Sequence, residues 1–235
     1  MKIENTDIRE FGAKLLKVNF TPPATTIDWE MYQGALLPSE NNTDVPLSQI
    51  ETEIYFKGKD RDEILANISN FSAMLQKGVA LELDGYRRKF MAYQSGAPNV
   101  EKTVSKQSYK ATYRFDGYWF SEMVELHFNE INEFSFETIG NRPTPCIISV
   151  TSLAHIDELK ITGFTEEILI SNIGRGEEIV IDGEQGTVTV DGKNKFQDVT
   201  LWEFPFLQVM NKRKNNIVIS SNRTMVTIRY RPLWM

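Results

Sequence analysis

Residues 177–194, EEIVIDGEQGTVTVDGKN, open a final stretch in which LWEFPFL (201–207), NNIVISS (215–221) and MVTIRYRPLWM (225–235) follow at short intervals. Ile179, Ile181, Val188 and Val190 alternate with polar neighbours at the two-residue period of a half-buried strand. Asp182-Gly183 and Asp191-Gly192 stand where the chain has to reverse. The spacing predicts a hairpin across residues 183–186, with Gly183 and Gly186 supplying the positive φ of a tight turn. Ile217 and Ile219, then Val226, Ile228 and Tyr230, repeat the alternation until Pro232, which cannot donate to a ladder, stops it.

Upstream, CIISVTSL (146–153), DELKITGF (157–164) and EEILIS (166–171) add strands joined by Gly, Asn and Asp turns, which predicts an antiparallel sandwich or jelly roll. NRPTP (141–145) punctuates like a linker, residues 120–136 are less regular, and the domain boundary is expected near residue 132. The first part reads as a sheet with one helix. QIETEIYF (49–56) places Ile50, Thr52, Ile54 and Phe56 on one face. VALEL (79–83), Asp84-Gly85 and YRRKFMAYQ (86–94) form a hairpin, and YKATYRF (109–115) continues the alternation. Asp60 and Glu63 make a capping-box-like start to a helix over 61–77, with Ile64, Leu65, Ile68, Phe71, Met74 and Leu75 at helical spacing and Gly78 placed as a C-cap. FGAKLLKVNF (11–20) is an early strand ended by Pro22-Pro23. Residues 21–47 then read as irregular, with Trp29, Met31, Tyr32, Leu36 and Leu37 among prolines and polar residues. So long a loop is either an interaction element or is packed on its own domain by those apolar side chains.

IDGEQGTVTVDGKN (181–194), Trp202 two residues before Phe204-Pro205, Asn216, and the closing Tyr230-Arg231-Pro232, Trp234 and Met235 resemble the carboxy-terminal domain of siphophage distal tail proteins, the Dit family. The likeness covers residues 135–235 by motif and the rest by length and element order. One departure is QVMNKRKNN (208–216), where the family usually has a Pro-Gly turn. The resemblance implies a mainly β chain with one α-helix in two domains. Residues 1–132 would be an α+β ring-forming domain and residues 133–235 a galectin-like antiparallel β-sandwich or jelly roll. It further implies a homo-hexameric ring at the distal end of the tail, joining the tail tube protein to the tail-associated hub or fibre protein and passing DNA through its lumen. A receptor-binding protein is a further candidate partner. Such a protein is made in the bacterial host cytoplasm and resides at the virion tail tip, and 235 residues leave no room for inserted carbohydrate-binding modules.

Composition fits this reading. With 41% hydrophobic and 11% aromatic residues the chain can bury one large or two modest cores. A net charge of −6 argues against gripping nucleic acid through the overall field. The single Cys146 cannot form an intramolecular disulfide, so a cytoplasmic site of synthesis is expected. MKIENTDIRE lacks the apolar core of a secretory signal, and no run approaches a membrane helix, so no membrane insertion is expected.

Chemistry is sparse. His127 and His155 have no second ligand at a metal spacing, and Cys146 after Pro145 reads as a small buried residue opening a strand rather than a nucleophile. No GxSxG, Walker or GxGxxG signature occurs. Glu166-Glu167 and Glu177-Glu178 are adjacent pairs that a strand sends to opposite faces, not the opposed carboxyl groups of a glycosidase. Arg87-Arg88-Lys89 and Lys212-Arg213-Lys214 lie in turns without stacking platforms, so sequence-specific nucleic-acid binding is not expected. Trp202, Phe204, Pro205 and Phe206 either close a sandwich core or stack against a sugar. No catalytic residue, cofactor or metal site is expected. The rival reading is a lectin-like module recognising host cell-wall saccharide, which a fold alone does not imply. A galectin-type site would gather His, Asn, Arg and a stacking Trp on one sheet, and no such cluster occurs in order in the sequence.

Overall fold

A computed structural model describes the chain except residues 25, 33, 35, 38, 45, 106, 202 and 209–213 and the side chains of residues 26 and 40–44. The chain divides into two compact units, Met1–Phe120 with Met235, and Ser121–Trp234.

In the first unit the strands are β1 (Lys2–Ile3), β2 (Thr6–Asp7), β3 (Ala13–Thr21), β4 (Thr26–Glu30), β5 (Ser39–Asp44), β6 (Ser48–Lys57), β7 (Val79–Glu82), β8 (Lys89–Gln94), β9 (Asn99–Lys102) and β10 (Ser108–Phe120). The main sheet runs β2-β1-β7-β8-β10-β6-β3, with β9 also on β10. Its centre is β10, which pairs with β6 from Ser108↔Lys57 to Gly117↔Ser48 and with β8 from Phe115↔Gln94 to Phe120↔Lys89. The alternation of residues 49–56 holds: Ile50, Thr52, Ile54 and Phe56 are all buried. Against that face lies the helix α1 (Arg61–Met74), whose N-cap Asp60 accepts from Glu63 N at 2.9 Å while Glu63 accepts from Lys59 N at 2.6 Å. Phe71 is its anchor, with ring centroids 5.4 Å from Phe56, 5.0 Å from Tyr113 and 5.9 Å from Phe11. Tyr113 Oη meets Ser72 Oγ at 3.0 Å, so the buried phenol keeps a polar partner on the helix.

Four expectations fail in this unit. The helix ends at Met74 rather than residue 77, and Leu75, at φ −92°, is the C-cap. Gly78 is therefore no left-handed cap; a Cβ there would come within 2.5 Å of the half-exposed Tyr93 ring, which would have to shift. Leu65 is exposed while Ile64, Ile68, Phe71 and Leu75 are buried, because the sheet covers a narrower stripe than the sequence offers. Residues 21–47 are not irregular throughout: β4 and β5 pair antiparallel, from Thr26↔Asp44 to Glu30↔Ser39, as a two-stranded sheet of their own. TIDWE alternates in the strand period, but the flanking prolines mask the signal.

The second unit contains β11 (Val124–Asn129), β12 (Glu133–Glu137), β13 (Thr144–Ser152), β14 (Ile156–Thr162), β15 (Ile168–Ile173), β16 (Glu178–Asp182), β17 (Thr187–Val190), β18 (Lys193–Asn194), β19 (Val199–Thr200), β20 (Phe206–Leu207), β21 (Lys214–Ile219), β22 (Thr224–Tyr230) and β23 (Leu233–Trp234). One antiparallel sheet runs β11-β22-β13-β16-β17-β18 with β20 on β13, and a second runs β12-β21-β14-β15-β19. They enclose one core, to which Ile148, Val150, Ile181 and Ile228 come from the first sheet and Phe134, Leu159, Ile161, Ile170 and Ile217 from the second. Phe128 stacks on Phe134 with centroids 3.7 Å apart.

The hairpin of β16 and β17 forms as the alternation predicts, with Ile181↔Val188 and Ile179↔Val190 in register. Only Gly186 takes a positive φ, of 67°. Gly183 is required by space instead: a Cβ would lie 2.5 Å from Pro205 O and 2.7 Å from Cys146 O. The change of unit falls at Phe120, because Val124–Asn129 pairs along its whole length with β22, from Val124↔Tyr230 to Asn129↔Met225. A division near residue 132 cuts that strand from its sheet.

Candidate interaction surfaces

The residues singled out for chemistry are held as structure. Cys146 is fully buried, its thiol against Pro205 O at 3.6 Å, and burial pushes its pKa far up, so no thiolate is available at neutral pH. His155 pairs with Asp157 at 3.1 Å, exposed and distant in sequence from His127. Glu167 pairs with Lys160. Glu177 accepts from Gly174 N at 2.9 Å to close a turn, and Glu178 sits on β16. Among the described residues no group of three or more His, Cys, Asp or Glu could hold a metal ion. Phe204 packs partly buried against the core, with its ring 6.2 Å from that of Phe196, and Phe206 pairs opposite Pro145 on β13. Phe204 thus packs on the sandwich core, and Trp202 lies outside the described residues. Of Lys212-Arg213-Lys214 only Lys214 is described, on β21. The base of that loop is clasped by buried Asn215, which accepts from Gln208 N at 3.1 Å and donates to Gln208 O at 3.1 Å and Thr138 Oγ1 at 3.3 Å.

Several basic groups of the first unit lie beside carboxylates. Lys89 lies 2.9 Å from Glu82, Lys110 2.8 Å from Glu53, Arg114 2.9 Å from Glu51 and Arg9 2.6 Å from Asp7. The hydrogen bond from Lys89 lowers the Glu82 pKa, that from Arg114 lowers Glu51, and that from Arg9 holds Asp7 well below the usual carboxylate range. These pairs are exposed and screened by salt.

Two surfaces stand out, the first not legible in the sequence and the second within the stretch read as an interaction element or a packed loop. One is the outer face of the sheet containing β11, β22, β13 and β16. Register puts His127, Thr227, Ser149 and Val180 in one row and Glu125, Arg229, Ile147 and Asp182 in the next. His127 Nδ1 lies 3.1 Å from Thr227 Oγ1 and its Nε2 3.4 Å from Glu125. Arg229 donates to Ser149 Oγ at 3.3 Å, while its buried Nε has no partner among the described atoms. About a hundred residues separate β11 from β22, so only the fold assembles this row. These rows hold no Trp, Tyr or Phe, and their one ring, the His127 imidazole, is engaged by Thr227 and Glu125. The other surface is the arm of β4 and β5, where Trp29 is 60%, Leu37 78% and Leu36 95% exposed, with Ile27, Met31 and Tyr32 also in solvent.

Residues 139–234 match the family model described as siphovirus-type tail component, C-terminal domain. The whole chain, 100% of it, aligns with 98% of the Dit protein of phage SPP1, described as a paradigm of the hub adsorption apparatus in phages infecting Gram-positive hosts, at a TM-score of 0.77 and 9% identity. Chains of the phage p2 baseplate in its activated conformation, with strontium and with calcium, align at a TM-score of 0.51. They share 10% and 9% identity, over 95% and 96% of this chain and 92% of theirs. Curated proteins gave no match. At such identities the structures speak for fold. Residues 139–234 thus match the model of a siphovirus-type tail component, C-terminal domain, and the whole chain has the fold of the SPP1 Dit protein.

Proposed function

We propose that this chain is a non-enzymatic adaptor at the distal tip of a siphophage tail. Six copies close into a ring that joins the tail tube to the tail-associated hub and adsorption apparatus and lets DNA pass through its opening. The observation that carries the reading is that the likeness to SPP1 Dit runs through both units, beyond the residues that the family model matches. A chain that shared only the carboxy-terminal domain would have no claim on the ring. The exposed apolar arm supports it, since a monomeric protein has little reason to leave Trp29, Leu36 and Leu37 in water. Closed cyclic assembly uses each such surface once per copy, in head-to-tail contacts.

The test is the mass of the purified chain, alone and with tail tube and hub proteins, by light scattering coupled to size exclusion. A species of six times 27.0 kDa is expected. A chain that stays at 27.0 kDa in both settings overturns the proposal. A saccharide-binding module is the rival, and it would use the Arg229 and His127 rows. Those rows have the donors and acceptors for hydroxyl groups but lack the stacking Trp of a galectin-type site.

A further inference from the structure

Among the described residues of the second unit, Phe196 is the only Phe, Tyr or Trp left exposed, at 46%, while Phe128, Phe134, Phe136, Phe204 and Tyr230 pack in or against the core. It lies on the link that leaves β18 at the edge of one sheet and enters β19 at the edge of the other. The link encloses a cleft of about 430 Å³ lined by Asn194, Lys195, Phe196, Gln197 and Asp198. That volume falls in the range of about 300 to 1,000 Å³ usual for small-ligand sites.

Local bonds hold this link in place. Phe196 N donates to Asn194 Oδ1 at 3.0 Å, Asp198 N to Lys195 O at 3.1 Å and Lys195 N to Val188 O at 3.2 Å. The Phe196 ring lies 6.2 Å from that of Phe204, which is packed against the core. Lys195 Nζ is 3.3 Å from Asp198 and 3.9 Å from Glu177, and Glu177 in turn accepts from Gly174 N at 2.9 Å. Groups fixed in this way have little freedom left to lose on binding.

An exposed ring beside carboxamides and a carboxylate suits a ligand with one apolar face and a rim of hydroxyl groups. A pyranose has both. Its C–H groups pack on the negative face of an aromatic ring, and its hydroxyls accept from the Asn194 and Gln197 carboxamides and donate to the Asp198 carboxylate. Lys195, the one cation of the lining, is shared between Asp198 and Glu177, so no positive charge is left over for a phosphate or a carboxylate. We propose that the cleft at Phe196 binds a neutral pyranose saccharide, with one sugar face on the Phe196 ring. The site lies at the other edge of the sheet from His127, outside the rows of His127 and Arg229. It adds a saccharide contact to the adaptor and does not depend on the ring.

Saturation-transfer NMR on the full chain tests it. The probes are neutral tetrasaccharides of glucose, galactose, N-acetylglucosamine and rhamnose, with a galacturonate tetramer as the anionic control. At least one neutral probe should bind, with the C–H protons of one sugar face most strongly saturated. Its affinity should be the same at about 0.1 M and about 1 M salt, although the screening length falls from about 10 Å to about 3 Å. Phe196→Ala should weaken it about fivefold or more, and Phe196→Tyr should keep it. Phe196 is exposed, so neither variant opens the core, and a melt of each confirms folding. His127→Ala, on the outer sheet face, should leave the affinity unchanged. Silence from all the neutral probes, binding of galacturonate alone, or affinity that survives Phe196→Ala overturns the inference. Loss of binding in His127→Ala moves the saccharide to the outer sheet face and overturns it too. A sixfold mass without a saccharide signal removes the cleft and leaves the ring, and a Phe196-dependent signal in a chain that stays at 27.0 kDa keeps the cleft and removes the ring.

Discussion

Gly117 shows how a single residue is fixed by its neighbours. It lies within β10 at the centre of the main sheet, and a Cβ there would overlap the Met91 carbonyl oxygen on β8 and come within 2.7 Å of the Phe90 ring. Its φ is not among the positive ones, so the constraint is space and not conformation. Gly163 combines both demands, with φ at 107° and a Cβ that would overlap Asn216 O. Gly117→Ala is therefore expected to destabilise by about 3 kcal/mol or more, since two paired strands must separate to admit a methyl group. That corresponds to roughly ten degrees or more in Tm, and a thermal melt of the full chain followed by circular dichroism measures it. A variant that melts with the parent would show that the β8 and β10 ladder yields at no cost. Gly85, which has nothing near its missing Cβ, serves as the contrasting position where only the positive φ of 87° matters.

At the scale of elements, the strands whose alternation is uninterrupted were legible. β6, β16, β17, β21 and β22 fall where period-two reasoning puts them, because one face of each is covered by a core and the other is wet. The helix start was legible too, since Asp60 and Glu63 act through bonds local to the sequence. Its end was not. Nothing within residues 74–78 announces the C-cap, and Gly78 answers to Tyr93 across the sheet. β11 was missed for the same reason: VELHFN alternates, yet its partner β22 lies about a hundred residues on and cannot be inferred locally. The two strands of the arm were missed, although its stretch was read as a possible interaction element, because Pro22, Pro23, Pro38 and Pro46 read as loop punctuation while β4 and β5, among the described strands, pair with each other alone. The interaction surfaces followed suit, since the row of His127, Thr227 and Ser149 exists only once three strands are in register. The missing strand makes a prediction about independence. A fragment of residues 121–234 should melt as one cooperative β unit, whereas one starting at residue 133 leaves the β22 edge open and uncovers Val226 and Ile228. The shorter fragment is expected to aggregate or to melt well below the longer one by circular dichroism. Equal melts would place β11 outside the cooperative unit.

For the whole molecule, the proposed ring raises the question of what six copies of these charges would do to a genome crossing it. Binding to phosphates grows with each unpaired cation, and sixfold repetition turns one misplaced lysine into a collar of six. The chain carries 32 acidic against 26 basic residues, and its first unit sets Lys89 on Glu82, Lys110 on Glu53, Arg114 on Glu51 and Arg9 on Asp7. Exposed pairs of this kind add little stability. Their consequence is electrostatic: each cancels a cation at short range, and over a screening length of about 8 Å at physiological salt a neighbouring phosphate meets a near-neutral pair. The expectation is a lumen without continuous positive potential, through which DNA slides rather than sticks. It is read from the potential along the axis of an assembled ring and from the retention of double-stranded DNA by that ring at low salt. Weak retention, little changed by salt, is the predicted result. Tight retention that falls steeply as salt rises would mean that cations line the opening, and Glu82→Gln with Glu51→Gln, which unmask Lys89 and Arg114, tests the cause directly. If those residues face the opening the double variant gains retention; if they face outward it leaves retention unchanged, and the lumen must owe its character to other strands of the first unit.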